Sequence, residues 1–361
     1  MIFKKEYFEY YEVDPISWSD IKKLDCLFGA NITRDLSSAT LSSASFSTNK
    51  FINEAYIRVY YVCEDQNNMT RIPMGTFLVQ TPRLQYSNKS FSCSLQAYSS
   101  LIELKENKVP LGYSYDRKHK LEPKVFVENI FSQHLRPKFN KDKSYLSFTV
   151  NDAPKVFIAE NQEDWLSFLE SFLGTMKTTI RLDDTGLPYI FKSKEFKELV
   201  PVYTYNDDEN SILFENLSIE YDLYSKPNVL NVHFVNAEGR ESCTIIRKNE
   251  DIESPFSIQN RGRIIEGDTE IVFYGNSNPS KSEMENMADS ISKDVFSITY
   301  TVQYVHGYSP VNIGDAVILN YHSAGLDNIK AIVTNQSISC QTGLQIQETA
   351  TFKLKNFIFD W

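Results

Sequence analysis

Between Ile57 and Leu101 the chain alternates apolar and polar residues with a period of two. Such alternation is typical of half-buried antiparallel strands. The pattern predicts three consecutive strands, at 57–63 (IRVYYVC), 71–80 (RIPMGTFLVQ) and 84–101 (LQYSNKSFSCSLQAYSSL). We expect them to form a curved meander at the centre of a small barrel or sandwich.

Residues with turn chemistry separate these strands. They occur at 64–68 (EDQNN), 81–82 (TP) and 87–88 (SN), and we expect the chain to leave the sheet at each place. The tripeptide 73–75 (PMG) lies inside the second strand. Proline lacks a backbone donor and glycine tolerates unusual dihedral angles, so 73–75 predicts an edge, a bulge or a sharp bend.

The same alternation predicts strands elsewhere in the chain. They are 3–13, 31–49, 145–150, 178–182, 187–193, 212–224, 229–236, 242–249, 297–305, 311–321, 329–339 and 344–355.

Helical spacing of apolar residues predicts three helices. The first begins at Pro123 and ends before Pro137, and the third follows Pro279. The second is 161–174 (NQEDWLSFLESFLG), with Asn161 as its N-cap. Residues 18–28 predict a short helix or an irregular segment that Gly29 closes.

These elements indicate a β-rich α+β fold with two tube-like antiparallel β-barrel or sandwich modules and a helix-containing middle region. The predicted domains are 1–115, 116–205 and 206–361, the last with a helix near 279–294. A short likeness between 71–80 and 311–320 (VNIGDAVILN) suggests that the two modules are related.

Composition narrows the function classes. The 361-residue chain carries 37 Lys and Arg against 47 Asp and Glu, a net charge of −10, so a global basic surface for gripping nucleic acid is absent. No secretory signal and no membrane-spanning run is evident. Five scattered cysteines without a C-x-x-C pair favour a reduced protein made in the cytosol.

Signatures of phosphate loops, nucleophile elbows and zincin helices are missing from the sequence. The sharpest catalytic candidate is Cys243 with His306 or His322 downstream, in the order that papain-like wall peptidases use. Cys243 lies in a strand pattern rather than at a helix start. We therefore predict no catalytic, cofactor-binding or metal-binding residues and no cofactor. His119, His134 and His233 are expected to be structural or solvent-facing.

Three acidic clusters are predicted to be solvated loop or turn carboxylates rather than glycosidase pairs: 183–184, 207–209 and 266–270. A carbohydrate-binding module that uses Trp18, Trp165 or Trp361 is a further alternative.

Several stretches resemble bacteriophage tail hub proteins, which include the baseplate hubs of contractile tails and the N-terminal part of tail-associated proteins of noncontractile tails. The order of β module, helix-containing middle and β module ending in a hairpin resembles them too. The stretches are YEVDPISW (11–18), ITRDLSSATLSSASFS (32–47), RIPMGTFLVQTP (71–82), NQEDWLSFLESFLGTM (161–176) and VNIGDAVILNY (311–321).

The resemblance implies a non-enzymatic virion protein, a homotrimer whose six barrels form a ring. Such a ring would adapt a sixfold tail tube or distal tail protein to a threefold spike, fibre or needle and let DNA pass during ejection. The protein would be assembled in the host cytoplasm and located in the virion tail, without a membrane segment or specific nucleic-acid recognition. Since the chain stops at Trp361, we expect any lytic activity to lie on another polypeptide. The alternatives are a tail-associated peptidoglycan hydrolase based on Cys243 and the carbohydrate-binding module.

Overall fold

A computed structural model describes most of the chain. Trp361, the predicted turn residue Asn88 and residues 65–67 of the turn predicted at 64–68 lie outside the described part. The described residues are 5–64, 68–87, 90–119, 121–209, 211–221, 226–236, 240–273 and 279–354.

Strands dominate, with few helices, so the predicted β-rich α+β class is confirmed. The strands are β1 (Lys5–Val13), β2 (Asp20–Lys23), β3 (Leu27–Asp35), β4 (Ser42–Thr48), β5 (Tyr56–Glu64), β6 (Met69–Ser87), β7 (Ser90–Tyr98), β8 (Ser114–Asp116), β9 (Val156–Ile158), β10 (Thr178–Leu182), β11 (Pro188–Lys192), β12 (Pro201–Asn206), β13 (Leu213–Tyr221), β14 (Val229–Asn236), β15 (Glu241–Lys248), β16 (Glu266–Phe273), β17 (Ile298–His306), β18 (Ala316–Tyr321), β19 (Leu326–Cys340) and β20 (Gln345–Leu354). The helices are α1 (Ile102–Glu106), α2 (Pro123–His134), α3 (Trp165–Thr175), α4 (Ile258–Arg261) and α5 (Lys281–Val295).

The chain forms two compact units. The first contains the described residues up to Tyr203 together with Val305–Ala316 and Val333–Glu348. The second contains the described residues of 204–304, 317–332 and 349 onward.

In the first unit the sheet order is β19-β3-β4-β7-β6-β5-β1-β2, and neighbouring strands are antiparallel. The sheet is strongly curled. The evidence is the distance of 6.1 Å between the ring centroids of Tyr10 in β1 and Phe46 in β4. These strands are four steps apart in the sheet, which would separate them by ~19 Å if the sheet were flat. The curl encloses one apolar core, as the meander prediction requires. Its residues on β5 are Ile57, Val59, Tyr61 and Cys63.

Strand β6 corrects one prediction. Residues 81–82 do not break the chain into two strands, because β6 continues through them to Ser87. Residues up to Leu78 pair with β5 and those from Leu78 onward pair with β7. Pro82 therefore lies where β6 has only one neighbour, and a missing donor is tolerated there. The predicted irregularity at 73–75 is confirmed, since Met74 bulges between Pro73 and Gly75.

A second core of the first unit surrounds α2 and α3. Phe168 and Phe172 of α3 pack on Phe126 of α2, and Trp165 packs on Phe168. The β10–β11 hairpin adds Ile180 and Ile190 to the cluster. The cap of α3 differs from the prediction: the Asp164 side chain, not Asn161, accepts a hydrogen bond, from the N–H of Ser167.

Two other predictions in the first unit are wrong. Residues 18–28 contain strand β2 and the start of β3 instead of a helix, and Gly29 lies inside β3. Residues 145–150 form no strand. Phe148 is buried in the helical core, and the N–H of Tyr145 donates to the carbonyl of Ile190 on β11.

The second unit contains the three-stranded sheet β15-β14-β16. Strand β14 is antiparallel to β15 and parallel to β16. Helix α5 covers one face, with Met284 and Ala288 packed against Val232 and Phe234. Serine at the N-cap and Glu283 at the third helical position form a capping box that fixes the start of α5.

Candidate functional site: a polar junction in the first unit

Arg34 on β3 links three segments that are distant in sequence. Its Nη1 donates to Asn312 Oδ1 over 2.6 Å and to Gln336 Oε1 over 3.0 Å, and its Nη2 donates to the carbonyl of Met74 over 2.9 Å. All three acceptors are uncharged. Burial lowers the pKa of the Arg34 guanidinium, and the carboxylate of nearby Asp184 acts in the opposite direction. The guanidinium stays charged because its ordinary pKa lies far above neutrality.

Gln336 connects this arginine to a fully buried histidine–glutamate contact. Its Nε2 donates to Glu348 Oε2 over 2.7 Å and to the carbonyl of Val311 over 2.8 Å. Glu348 and His306 are both inaccessible to solvent, with 3.3 Å between Oε2 and Nε2. Buried polar groups of this kind are stable only when their partners are in place, so the network fixes how β17, β19 and β20 meet.

The loop of the β10–β11 hairpin docks onto β6 instead of projecting into solvent. The carbonyl of Thr185 accepts hydrogen bonds from Thr76 Oγ1 over 2.6 Å and from Trp18 Nε1 over 3.1 Å. Asp183 Oδ1 accepts from the N–H groups of Thr185 and Leu187, over 2.9 and 3.0 Å. Asp183 is thus a structural acceptor of the loop, not the solvated acid that its turn sequence suggested.

Gly186 makes this docking possible. Its φ is +83°, a region that L side chains rarely adopt, and a Cβ there would lie 2.8 Å from the backbone nitrogen of Thr76. Ser100 Oγ donates to the carbonyl of Gly186 over 3.3 Å. A larger residue would have to push the loop off β6.

Arg181 fixes the turn before β18. Its Nη2 donates to the carbonyl of Gly314 over 2.8 Å, its Nη1 lies 3.3 Å from Asp315 Oδ1, and its Cζ lies 3.7 Å from the ring centroid of Phe191. Burial raises the pKa of the Asp315 carboxyl, while bonds from the N–H of Asn312 and from Arg181 act the other way.

Arg34, Thr76, Arg181, Asp183 and Gly186 line a cavity of about 180 Å³. The two segments with the internal likeness, 71–80 and 311–320, both contribute to its wall, through 74–77 and through Asn312, Ile313 and Asp315. Arg34 contacts both segments. Sequence reasoning missed this junction, since Arg34, Gln336 and Thr76 each occur in a plain strand pattern and belong to no motif.

Cys243 is not paired with the histidines proposed for it. It lies on β15 opposite Phe234 and packs against the apolar cluster of the second unit. His233 lies opposite Thr244, the next residue, so strand alternation directs it to the other face. His322 Nδ1 instead lies 2.8 Å from Asp207 Oδ1, and His306 belongs to the buried pair with Glu348.

The other acidic clusters form surface pairs with histidine. Asp268 Oδ1 accepts from Asn231 Nδ2 over 3.0 Å and lies 3.3 Å from His233 Nε2. The hydrogen bond with Asp268 raises the pKa of His233, and the hydrogen bond with Asp207 raises the pKa of His322. Across the described residues, no group of three or more His, Cys, Asp or Glu side chains is placed to hold a metal ion.

The two described tryptophans are held by the fold. Trp18 is half-buried, with its N–H bonded to Thr185, and Trp165 is buried under the ring of His134, 4.1 Å between centroids. Burial lowers the pKa of His134. Within the part of the chain that the structure describes, no helix is long and apolar enough to cross a bilayer.

One face of the β1–β5–β6 region carries tyrosine and arginine near the surface. The Arg71 guanidinium lies 4.8 Å from the ring centroid of Tyr11 and 4.6 Å from that of Tyr60, and it also pairs with Glu9 at 2.7 Å. Tyrosine and arginine are enriched in protein–protein interfaces. We call this set the Tyr–Arg face.

Strands β2 and β13 each lie at the edge of a sheet. Among the described strands of the first unit, β2 has β1 as its sole neighbour, and all its residues are exposed. In the second unit β13 ends the described order β13-β17-β20 and exposes Phe214 and Tyr221. Unpaired edges with exposed apolar residues favour association with another chain.

This architecture is the fold of phage tail proteins. The tail protein from Neisseria meningitidis MC58 is similar, with a TM-score of 0.63 and 12% identity over 96% of this chain and 97% of that one. The 43 kDa tail protein of prophage MuSo2 from Shewanella oneidensis has a TM-score of 0.58 and 12% identity over 96% and 98% of the two chains. Prophage tail protein gp18 from Listeria monocytogenes EGD-e has a TM-score of 0.53 and 10% identity over 98% and 96%.

At such low identity the likeness concerns the fold. No family model matches the sequence, and no curated protein matches it. The resemblance to tail proteins that short sequence stretches indicated is therefore confirmed at the level of tertiary structure.

Proposed function

We propose that this chain is a non-enzymatic structural protein of a phage tail, a hub subunit that assembles as a trimer. The observation that carries the proposal is the extent of the fold similarity. It covers 96% or more of this chain and 96% or more of each of the three tail proteins. A match along the full length of both chains favours a shared architectural role over the reuse of one module.

Self-association is supported by the surfaces of each unit. The Tyr–Arg face and strand β2 of the first unit, and strand β13 of the second, offer aromatic contacts and open backbone edges. In a ring such edges would be covered by neighbouring subunits. We propose that the ring joins a sixfold tail tube or distal tail protein to a threefold spike, fibre or needle.

Passage of DNA is supported by charge. The chain carries a net charge of −10, which repels phosphate and prevents a lumen from trapping DNA by counterion release. We further propose a location in the virion tail after assembly in the host cytoplasm, and three domains at 1–115, 116–205 and 206–361.

Native mass spectrometry and averaged electron micrographs of the purified protein test the proposal. We expect the mass of three chains and a ring with a central opening. Phe214→Lys on edge strand β13 is expected to reduce the trimer, and Met287→Lys on α5 is the matched control, since both side chains are 42% exposed. A monomer at all concentrations, without a ring, would contradict the trimeric hub.

The peptidase and carbohydrate-binding alternatives gain no support from a specific contact. Cys243 packs against apolar side chains, Trp18 is half-buried with its N–H bonded to Thr185, and Trp165 is buried under the ring of His134. Zymography on peptidoglycan with Cys243→Ala as the control would detect a hydrolase, and a glycan array would detect sugar binding. Activity that disappears in Cys243→Ala would replace the structural proposal by an enzymatic one.

A further inference from the structure

The cavity around Arg34 has the size and lining of a binding site for a small molecule. At about 180 Å³ it exceeds the ~150 Å³ of an engineered protein cavity that binds benzene. Much of its wall is apolar. The side chains that form this part include Phe77, Leu182, Tyr189, Phe191 and Ile313.

The charged groups of the wall leave an excess of positive charge. Three cations line the cavity, Arg34, Lys143 and Arg181, against two carboxylates, Asp183 and Asp315. One of these cations, Arg181, is paired directly with Asp315.

Both carboxylates already have donors on each oxygen. Asp183 accepts from its own loop through Oδ1 and from Asn140 Nδ2 through Oδ2, over 2.8 Å. Asp315 accepts from Arg181 through Oδ1 and from the N–H of Asn312 through Oδ2. Neither therefore compensates the remaining two cations by direct pairing.

Arg34 and Lys143 form no direct ion pair with the carboxylates of the wall, although Asp184 acts on Arg34 and Lys143 acts on Asp315 through space. Arg34 bonds only uncharged acceptors in the contacts described above, and these use three of the five N–H donors of a guanidinium. Lys143 is exposed, with its ammonium 4.8 Å from the ring centroid of Tyr189. One cation thus lies within the junction and the other in a position that solvent reaches.

We propose that this cavity binds a small organic carboxylate with an apolar body of about the size of a phenyl ring. The body packs on Phe77 and Tyr189, and the carboxylate is held by Arg34 and Lys143. Charge-assisted bonds to a carboxylate are stronger than those to uncharged groups, so an acid is preferred over its uncharged isostere.

The probes are 4-fluorophenylacetate and its uncharged isostere 4-fluorophenylacetamide, titrated into the full chain and followed by ¹⁹F NMR. A ligand of this size is expected to bind with a Kd of about 1 mM. We expect the acetamide to bind at least ~10-fold more weakly. A peptide that ends in a phenylalanine carboxylate is a third probe, because the same chemistry occurs at the end of a polypeptide; tighter binding of this peptide would identify a protein terminus as the source.

Two lysine variants separate the site from general charge attraction. Lys143→Gln is expected to weaken the acid ~10-fold. Lys141→Gln, which removes a lysine that pairs with Glu128 outside the cavity wall, is expected to leave binding unchanged. The proposal is overturned if the acid does not saturate, if acid and amide bind alike, or if the two lysine variants weaken the acid equally.

Discussion

Arg34 donates a 2.6 Å hydrogen bond from Nη1 to Asn312 Oδ1, although 278 residues separate the two. Its Nη2 reaches the carbonyl of Met74. Met74 and Asn312 belong to 71–80 and 311–320, the two segments with a weak likeness in sequence. The likeness thus has a spatial counterpart, since both segments line one cavity and share one arginine.

Replacing Arg34 tests whether this junction stabilises the first unit. Arg34→Gln removes charge-assisted bonds to three segments and leaves buried acceptors without a donor. We expect a loss of ~3 kcal/mol in the free energy of unfolding, measured by urea denaturation. Arg83→Gln, at an exposed position of β6, is expected to change it by less than ~0.5 kcal/mol. Equal effects would show that Arg34 has no special structural role.

Gly186→Ala tests the close approach of the hairpin loop to β6. The variant combines an unfavourable φ with a Cβ 2.8 Å from the Thr76 nitrogen. We expect the free energy of unfolding to fall by ~3 kcal/mol. Gly343→Ala is the matched control, because φ is +76° and no atom lies within 4 Å of a Cβ there. Gly343→Ala is expected to lower the free energy of unfolding by only ~1 kcal/mol. Thermal unfolding of both variants separates crowding from backbone strain, and similar losses would exclude crowding.

The N-cap of α3 gives a direct comparison of two residues. Asp164→Ala removes the 2.9 Å hydrogen bond that the N–H of Ser167 donates. We expect the free energy of unfolding to fall by ~1 kcal/mol. Asn161→Ala, at the cap that the sequence pattern favoured, should change stability by less than ~0.5 kcal/mol. Urea denaturation measures both. A larger loss for Asn161→Ala would place the helix start three residues earlier.

Histidine variants should show opposite dependences on pH. Asp207 raises the pKa of His322, so this pair stabilises the fold below the ordinary histidine pKa of ~6.5, and the contribution is lost as pH rises through the raised value. Burial lowers the pKa of His134. The contribution of this histidine to stability is therefore present above pH ~6.5 and lost as pH falls through the lowered pKa.

Stability measured at about pH 5.5 and about pH 8.5 distinguishes the two cases. His322→Gln should lower the unfolding midpoint more at the acid pH, and His134→Gln more at the alkaline pH. The His322 effect should shrink in high salt, because that pair is exposed. Parallel trends for the two variants would contradict the assigned pKa directions.

Local patterns predicted the elements that depend on near neighbours in sequence. Alternation of apolar and polar residues predicted β5 and β7. Proline followed by apolar residues at helical spacing predicted α2 and α5. The strand expected at 145–150 failed because Phe148 packs into the helical core and the segment makes no continuous ladder with β11. The break expected at 81–82 failed because the two halves of β6 pair with different neighbours, and at Pro82 the strand pairs with β7 alone. Pairing of this kind is absent from any local window.

The sequence by itself determined the β-rich class, most element positions, the net negative charge and the likeness to tail proteins. Each follows from side-chain periodicity, capping chemistry or composition within short stretches. Tertiary structure alone decided that Arg34, Gln336 and Thr76 meet the hairpin loop and the turn at Asn312. Their roles come from hydrogen bonds between residues up to 302 positions apart in the chain, and local sequence patterns do not show such pairs.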